Sequence, residues 1–194
     1  ALVVDGVHQY TAFYKELLSQ LEKGAGWTYS THSMGYDFYG LFCYYLSSPF
    51  SLLVLLFMKF MYVNEAVTAV ILIKAGLCSV SMAWYSGKKY PGRGSMAVSL
   101  GCMYALSDFF IGYYSNVMWL DCIMLLPVLA YLIEQLVHTG KWRGYCLVLG
   151  YCILTSYYMG FVLCTFAAFY YLAELAAAES GRRPEKIRFS LLKF

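Results

Sequence analysis

The sequence predicts an all-α fold: a polytopic transmembrane helix bundle preceded by a polar segment that bears amphipathic and interfacial helices. Three observations carry this. The chain is 61% hydrophobic and only 13% charged, too apolar and too sparsely charged for an ordinary soluble domain. Apolar runs close to the twenty residues that a helix needs to cross the hydrocarbon recur along it. Between those runs, Lys88, Lys89 and Arg93, then Lys141 and Arg143, then Arg182, Arg183, Lys186, Arg188 and Lys193 hold ten of the fourteen basic residues. Alternation puts these three clusters on one side of a membrane, the cytoplasmic side by the positive-inside rule. The net charge of +3 implies no nucleic-acid partner.

Residues 1–62 read as an extracytoplasmic loop. Tyr10, Phe13, Tyr14, Leu17, Leu18 and Leu21 recur at helical spacing, with Lys15, Glu16, Gln20 and Glu22 between them, which predicts a short amphipathic helix lying on a surface. From Leu41 to Tyr62 the chain is apolar and aromatic, but Pro49 should break a helix there, so an interfacial or partly inserted element is expected. Five spans come next, at 66–87, 95–112, 122–137, 145–157 and 160–178. The loops 88–94 and 138–144 and the basic segment 179–194 fall on the cytoplasmic side. The seven cysteines lie singly in apolar runs and read as small buried hydrophobes. The sequence opens without an initiator Met and reads as a piece of a longer protein.

The stretch Ser107 to Pro127 reads as a hairpin tip at a membrane surface. Tyr113, Tyr114 and Trp119 are rings of the kind that collect at headgroup level, while Asn116 and Asp121 need water or polar partners. Two charges lie deeper. Counting about 1.5 Å per residue from the nearer helix ends puts Lys74 roughly 13 Å and Asp108 roughly 8 Å into the hydrocarbon. The expectation is that the two pair, the alternative being that each snorkels to water.

Several runs carry a family resemblance: DGVHQY from Asp5, GYDFYGLFCYYLSSPFSLLVLLF from Gly35, LIKAGL from Leu72, SNVMWLDCIMLLP from Ser115 and SYYMG from Ser156. Together they resemble the YfhO family of bacterial membrane proteins over nearly the whole chain. The resemblance implies a GT-C type glycosyltransferase architecture, a polyprenyl-phosphate sugar donor, and an envelope polymer of the teichoic-acid type as acceptor. It also implies a further span before Ala1 and several after Phe194.

Such a transferase needs an acidic residue in an extracytoplasmic loop, close to where a lipid phosphate lies. The resemblance matches Asp5 to that position, with Asp37 as the second candidate. Either could equally be local structure, Asp5 capping the amphipathic helix and Asp37 standing in a glycine-flanked turn. His8 and His32 share the loop, and a divalent cation is the cofactor that such groups could hold, although no ligand spacing supports one. His8, Gln9, Tyr10, Asn116, Trp119, Asp121, Tyr157 and Tyr158 are the candidate substrate-binding residues. Asp121 would also be favoured at a helix start by the dipole, and the tyrosines as interfacial anchors. The alternative to a transferase is a non-catalytic membrane protein, either a flippase-like transporter or an envelope-assembly scaffold.

Overall fold

The computed structural model describes residues 6–23 and 37–180, and every regular element in them is helical, with no strand among the described residues. A π-type turn, Gly6–Tyr10, runs into α1 (Thr11–Lys23). The short α2 (Phe38–Leu41) continues through a second π-type turn, Phe42–Leu46, and α3 (Phe50–Phe57) comes after it. These elements form a cap over one end of the bundle.

The bundle consists of α4 (Val63–Lys89), α5 (Gly94–Ala105), α6 (Asp108–Tyr113), α7 (Leu120–Thr139), α8 (Arg143–Thr155) and α9 (Tyr157–Ser180). Four stretches are long and apolar enough to cross a membrane: Val63–Lys89, Gly94–Tyr113, Leu120–Thr139 and Tyr157–Ala178. The most enclosed of them is α7, which packs on α4, α8 and α9. The chain is therefore an all-α polytopic membrane bundle.

Local chemistry explains where the elements break. Pro49 has no N–H to give, and the helical runs 38–46 and 50–57 on either side of the Ser47–Pro49 break meet at 102°. Ser47 Oγ holds that bend against α8 by donating to the Leu154 carbonyl at 2.9 Å. The expected span 95–112 is two helices, because the Ser107 side chain accepts from the Phe110 N–H at 3.4 Å and starts α6 afresh. The turn expected near Ser156 to Gly160 is tighter than that. Ser156 alone separates α8 from α9, and a Cβ on Gly160 would fall 2.7 Å from Ile153 Cα, so only glycine admits this crossing.

Helix lengths set the level of each junction. With its thirteen residues α8 rises about 20 Å, short of the roughly 30 Å hydrocarbon core, and its last turn meets the cap at Ser47. At the opposite end, beside the basic clusters, Glu134 Oε1 accepts from Tyr85 Oη, Tyr170 Oη and Lys89 Nζ, each at 2.7 Å. That one carboxylate joins α4, α7 and α9.

Candidate functional site

A bilayer-spanning bundle should bury few polar groups, since each must find a partner away from water. Among the described residues, the buried polar side chains are Glu16, Gln20, Ser48, Ser51, Lys74, Ser86, Asp121, Thr155 and Ser156. All except Ser86 lie in the capped half of the bundle, where α1, α3 and the α8–α9 junction surround the loop leading into α7. That concentration defines the candidate site.

Lys74 is its centre. The side chain is wholly shielded, and a helical side chain leans toward its helix N-terminus, here the capped end. Nζ donates to Asp121 Oδ2 at 3.0 Å and to the Val117 carbonyl at 3.0 Å, and it lies 5.0 Å from the centre of the Phe50 ring. Lys74 stands eleven residues into α4, about 16 Å from its start, so the loop before α7 dips well below the level at which α4 begins. Val117, Met118, Leu120 and Asp121 are all buried. The tip is therefore a buried turn under a cap, where the sequence suggested a hairpin tip at a membrane surface.

The cap is pinned to that turn. Tyr10 Oη accepts from the Met118 N–H at 3.3 Å, and the Tyr10 ring meets Tyr45 edge-on at 6.0 Å. Thr11 Oγ1 donates to Asn64 Oδ1 at 2.7 Å, so α1 crosses the first turn of α4. The hydroxyls of Tyr14 and Ser51 lie 3.3 Å apart and join α1 to α3. Burial pushes the Tyr14 phenol up to about 12; the bond to Ser51 opposes this and the Asp121 charge adds to it.

Of the expected site residues, Asp5 and His32 lie outside the described residues. His8 is exposed, Gln9 half-buried and Tyr10 buried. The exposed Asp37 caps α2, its Oδ1 accepting from the Tyr39 N–H at 3.0 Å. Asn116 is half-buried and shapes the turn through its backbone, which donates to the Tyr113 carbonyl and accepts from the Trp119 N–H, both at 2.9 Å. Trp119 stacks on Tyr158 at 5.5 Å and touches Tyr113 at 5.4 Å, while Tyr157 and Tyr158 face outward. The Trp119 Nε1 atom is buried without a hydrogen-bond partner among the described residues.

One expectation is overturned. Lys74 does not pair with Asp108, which is exposed in the first turn of α6, but with Asp121. Depth along each helix is the wrong criterion because α7 starts from a turn that has already entered the bundle. The helical pattern also misplaces two polar residues. It puts Glu16 and Gln20 between the apolar positions of α1, on its exposed side, yet both are buried, with Gln20 Nε2 donating to Glu16 Oε1 at 2.8 Å, and Leu21 is exposed instead. Their i,i+4 spacing beside Leu17 is the only signal of this in the sequence.

The Lys74–Asp121 pair is wholly shielded from solvent. No group of three or more His, Cys, Asp or Glu side chains suited to a metal ion occurs among the described residues. A family model described as bacterial membrane protein YfhO matches residues 1–193. No curated protein and no solved structure matches the chain.

Proposed function

Given that the chain belongs to the YfhO family of bacterial membrane proteins, we propose that it is an integral membrane glycosyltransferase of GT-C type. It moves a sugar from a polyprenyl-phosphate donor onto an extracytoplasmic envelope polymer of the teichoic-acid type. The capped end faces outward, because the basic clusters around Lys88 and Lys141 lie at the other end and positive charge is retained in the cytoplasm.

The observation that carries this reading is the docking of the 6–23 segment on the tip through Tyr10 and Met118. That described segment begins one residue after Asp5 and is held against the end of the bundle that we read as extracytoplasmic. There a donor phosphate and an acceptor hydroxyl can meet. Asp5 would take the acceptor proton, or would hold a divalent cation if one is bound, work that an amide does poorly. Asp37 is the reserve acid, and the outward rings of Tyr157 and Tyr158, beside Trp119, are the proposed contacts for sugar or lipid.

Asp5→Asn tests this in the full-length protein. Asn caps a helix about as well as Asp, so a purely structural Asp5 tolerates the change. The expected result is normal membrane abundance with polymer glycosylation down by about a hundredfold. Undiminished glycosylation removes Asp5 from the site.

The second reading, a flippase-like transporter, draws on the buried Lys74–Asp121 pair beside a broken helical element, since transporters keep polar groups at such depth. It predicts movement of lipid-linked sugar across the bilayer without transfer.

A further inference from the structure

We propose that Lys74 and Asp121 are positioning residues: together they latch the turn before α7 in the form that holds the cap, and with it the segment leading back to Asp5. The latch rests on the proposed function only for its catalytic consequence, since its direct effect is on the cap.

The geometry brings four elements to one ammonium group. Lys74 Nζ, from α4, reaches the turn at the Val117 carbonyl and the first turn of α7 at the Asp121 carboxylate, each at 3.0 Å. Between those two bonds lies Met118, whose N–H is the donor that Tyr10 accepts. The same ammonium group lies over Phe50 of α3, and α3 is bonded to α1 through Ser51 and Tyr14. Cap and turn thus meet around a single charged contact.

A charged pair is a poor choice for stability at a shielded site. Removing two ions from water is costly, and an apolar pair of similar volume often serves as well or better. What apolar side chains cannot do is donate to the Val117 carbonyl or fix the direction of approach. Lys74→Met with Asp121→Leu should therefore keep the bundle folded yet release the turn. The released turn no longer presents the Met118 N–H to Tyr10, and the cap loosens.

The test is amide hydrogen exchange on the full-length protein in lipid nanodiscs, comparing wild type, the Lys74→Met/Asp121→Leu double variant and Lys74→Arg. Expected in the double variant is a loss of protection over Tyr10 to Gln20 by about tenfold or more, with protection across the middle of α7 kept. Lys74→Arg, which keeps a charged donor, should retain most of the cap protection. Unchanged cap protection in the double variant overturns the latch. So does an equal loss across α7, which would make the pair a general element of the fold. Glycosylation by the same variants separates the latch from the proposed activity: a loosened cap with undiminished transfer leaves the latch standing and removes the Asp5 segment from catalysis.

Discussion

Lys74 Nζ and Asp121 Oδ2 lie 3.0 Å apart with both side chains wholly shielded from solvent. Each is the other's salt-bridge partner, so removing one leaves the other buried and uncompensated. Lys74→Met alone, or Asp121→Leu alone, should therefore destabilise the protein by about 3–5 kcal/mol. Thermal unfolding in detergent checks this, and a shift no larger than that of an ordinary exposed substitution would contradict it.

Much of the architecture is legible from composition and spacing. The apolar runs and the break at Pro49 follow from rules that act within a few residues, whereas the serine-capped restart at Ser107, equally local, is hidden inside the expected span 95–112. The partner of Lys74 is not legible, because it depends on how far the loop around Val117 folds back into the bundle, a tertiary outcome. Nor is the burial of Glu16 and Gln20, since an amphipathic pattern marks the apolar stripe of α1 but not which flank a neighbouring element will cover. The role proposed for Asp5 rests on the resemblance, and nothing in the sequence assigns one to His32.

Helices α4 and α5 approach closely where a Cβ on Gly101 would stand 2.5 Å from the Ser79 carbonyl oxygen and 3.0 Å from Ala83 Cβ. Neither neighbour is the end of a flexible side chain. Gly101→Ala should destabilise by about 1–3 kcal/mol through overpacking. Gly112→Ala in α6, where nothing lies within 4 Å, is the control and should be neutral or slightly stabilising. Equal unfolding temperatures for the two variants would contradict this packing.

Orientation is open to a labelling experiment. Tyr62, 82% exposed at the start of α4, belongs to the capped end, and Tyr90, at the far end of the same helix, to the basic end. With Cys43, Cys102 and Cys146 replaced by alanine, a membrane-impermeant maleimide should label Tyr62→Cys in intact cells and reach Tyr90→Cys only after permeabilisation. Labelling in the reverse order would invert the proposed topology.

Tyr14 supplies a pH test. Its phenol ionises near 10 when unfolded and is pushed to about 12 in the fold, so the native state favours the neutral form. That contribution is fully present below pH 10 and is lost as pH rises from 10 through 12, at about 1.4 kcal/mol per unit. Tyr14→Phe cannot ionise, so its stability relative to wild type should improve across that window. A constant difference between the two from about pH 8 to pH 11.5 would show that Tyr14 does not stay neutral in the folded cap.

Glu134 is the corresponding joint at the basic end. Tyr85→Phe and Tyr170→Phe each remove one donor to its Oε1 and should cost about 0.5–1.5 kcal/mol, with the double change less than additive because the two hydroxyls also lie 3.3 Å from each other. A double-mutant cycle on unfolding free energy measures the coupling, and strict additivity would contradict a shared network.

The most direct measurement is transfer by the purified full-length protein in proteoliposomes supplied with a radiolabelled polyprenyl-phosphate sugar and a teichoic-acid type polymer. Wild type should move label onto the polymer, and Asp5→Asn should do so about a hundredfold more slowly. Label that crosses the bilayer but stays on the lipid with either protein would contradict the transferase account and favour the transporter.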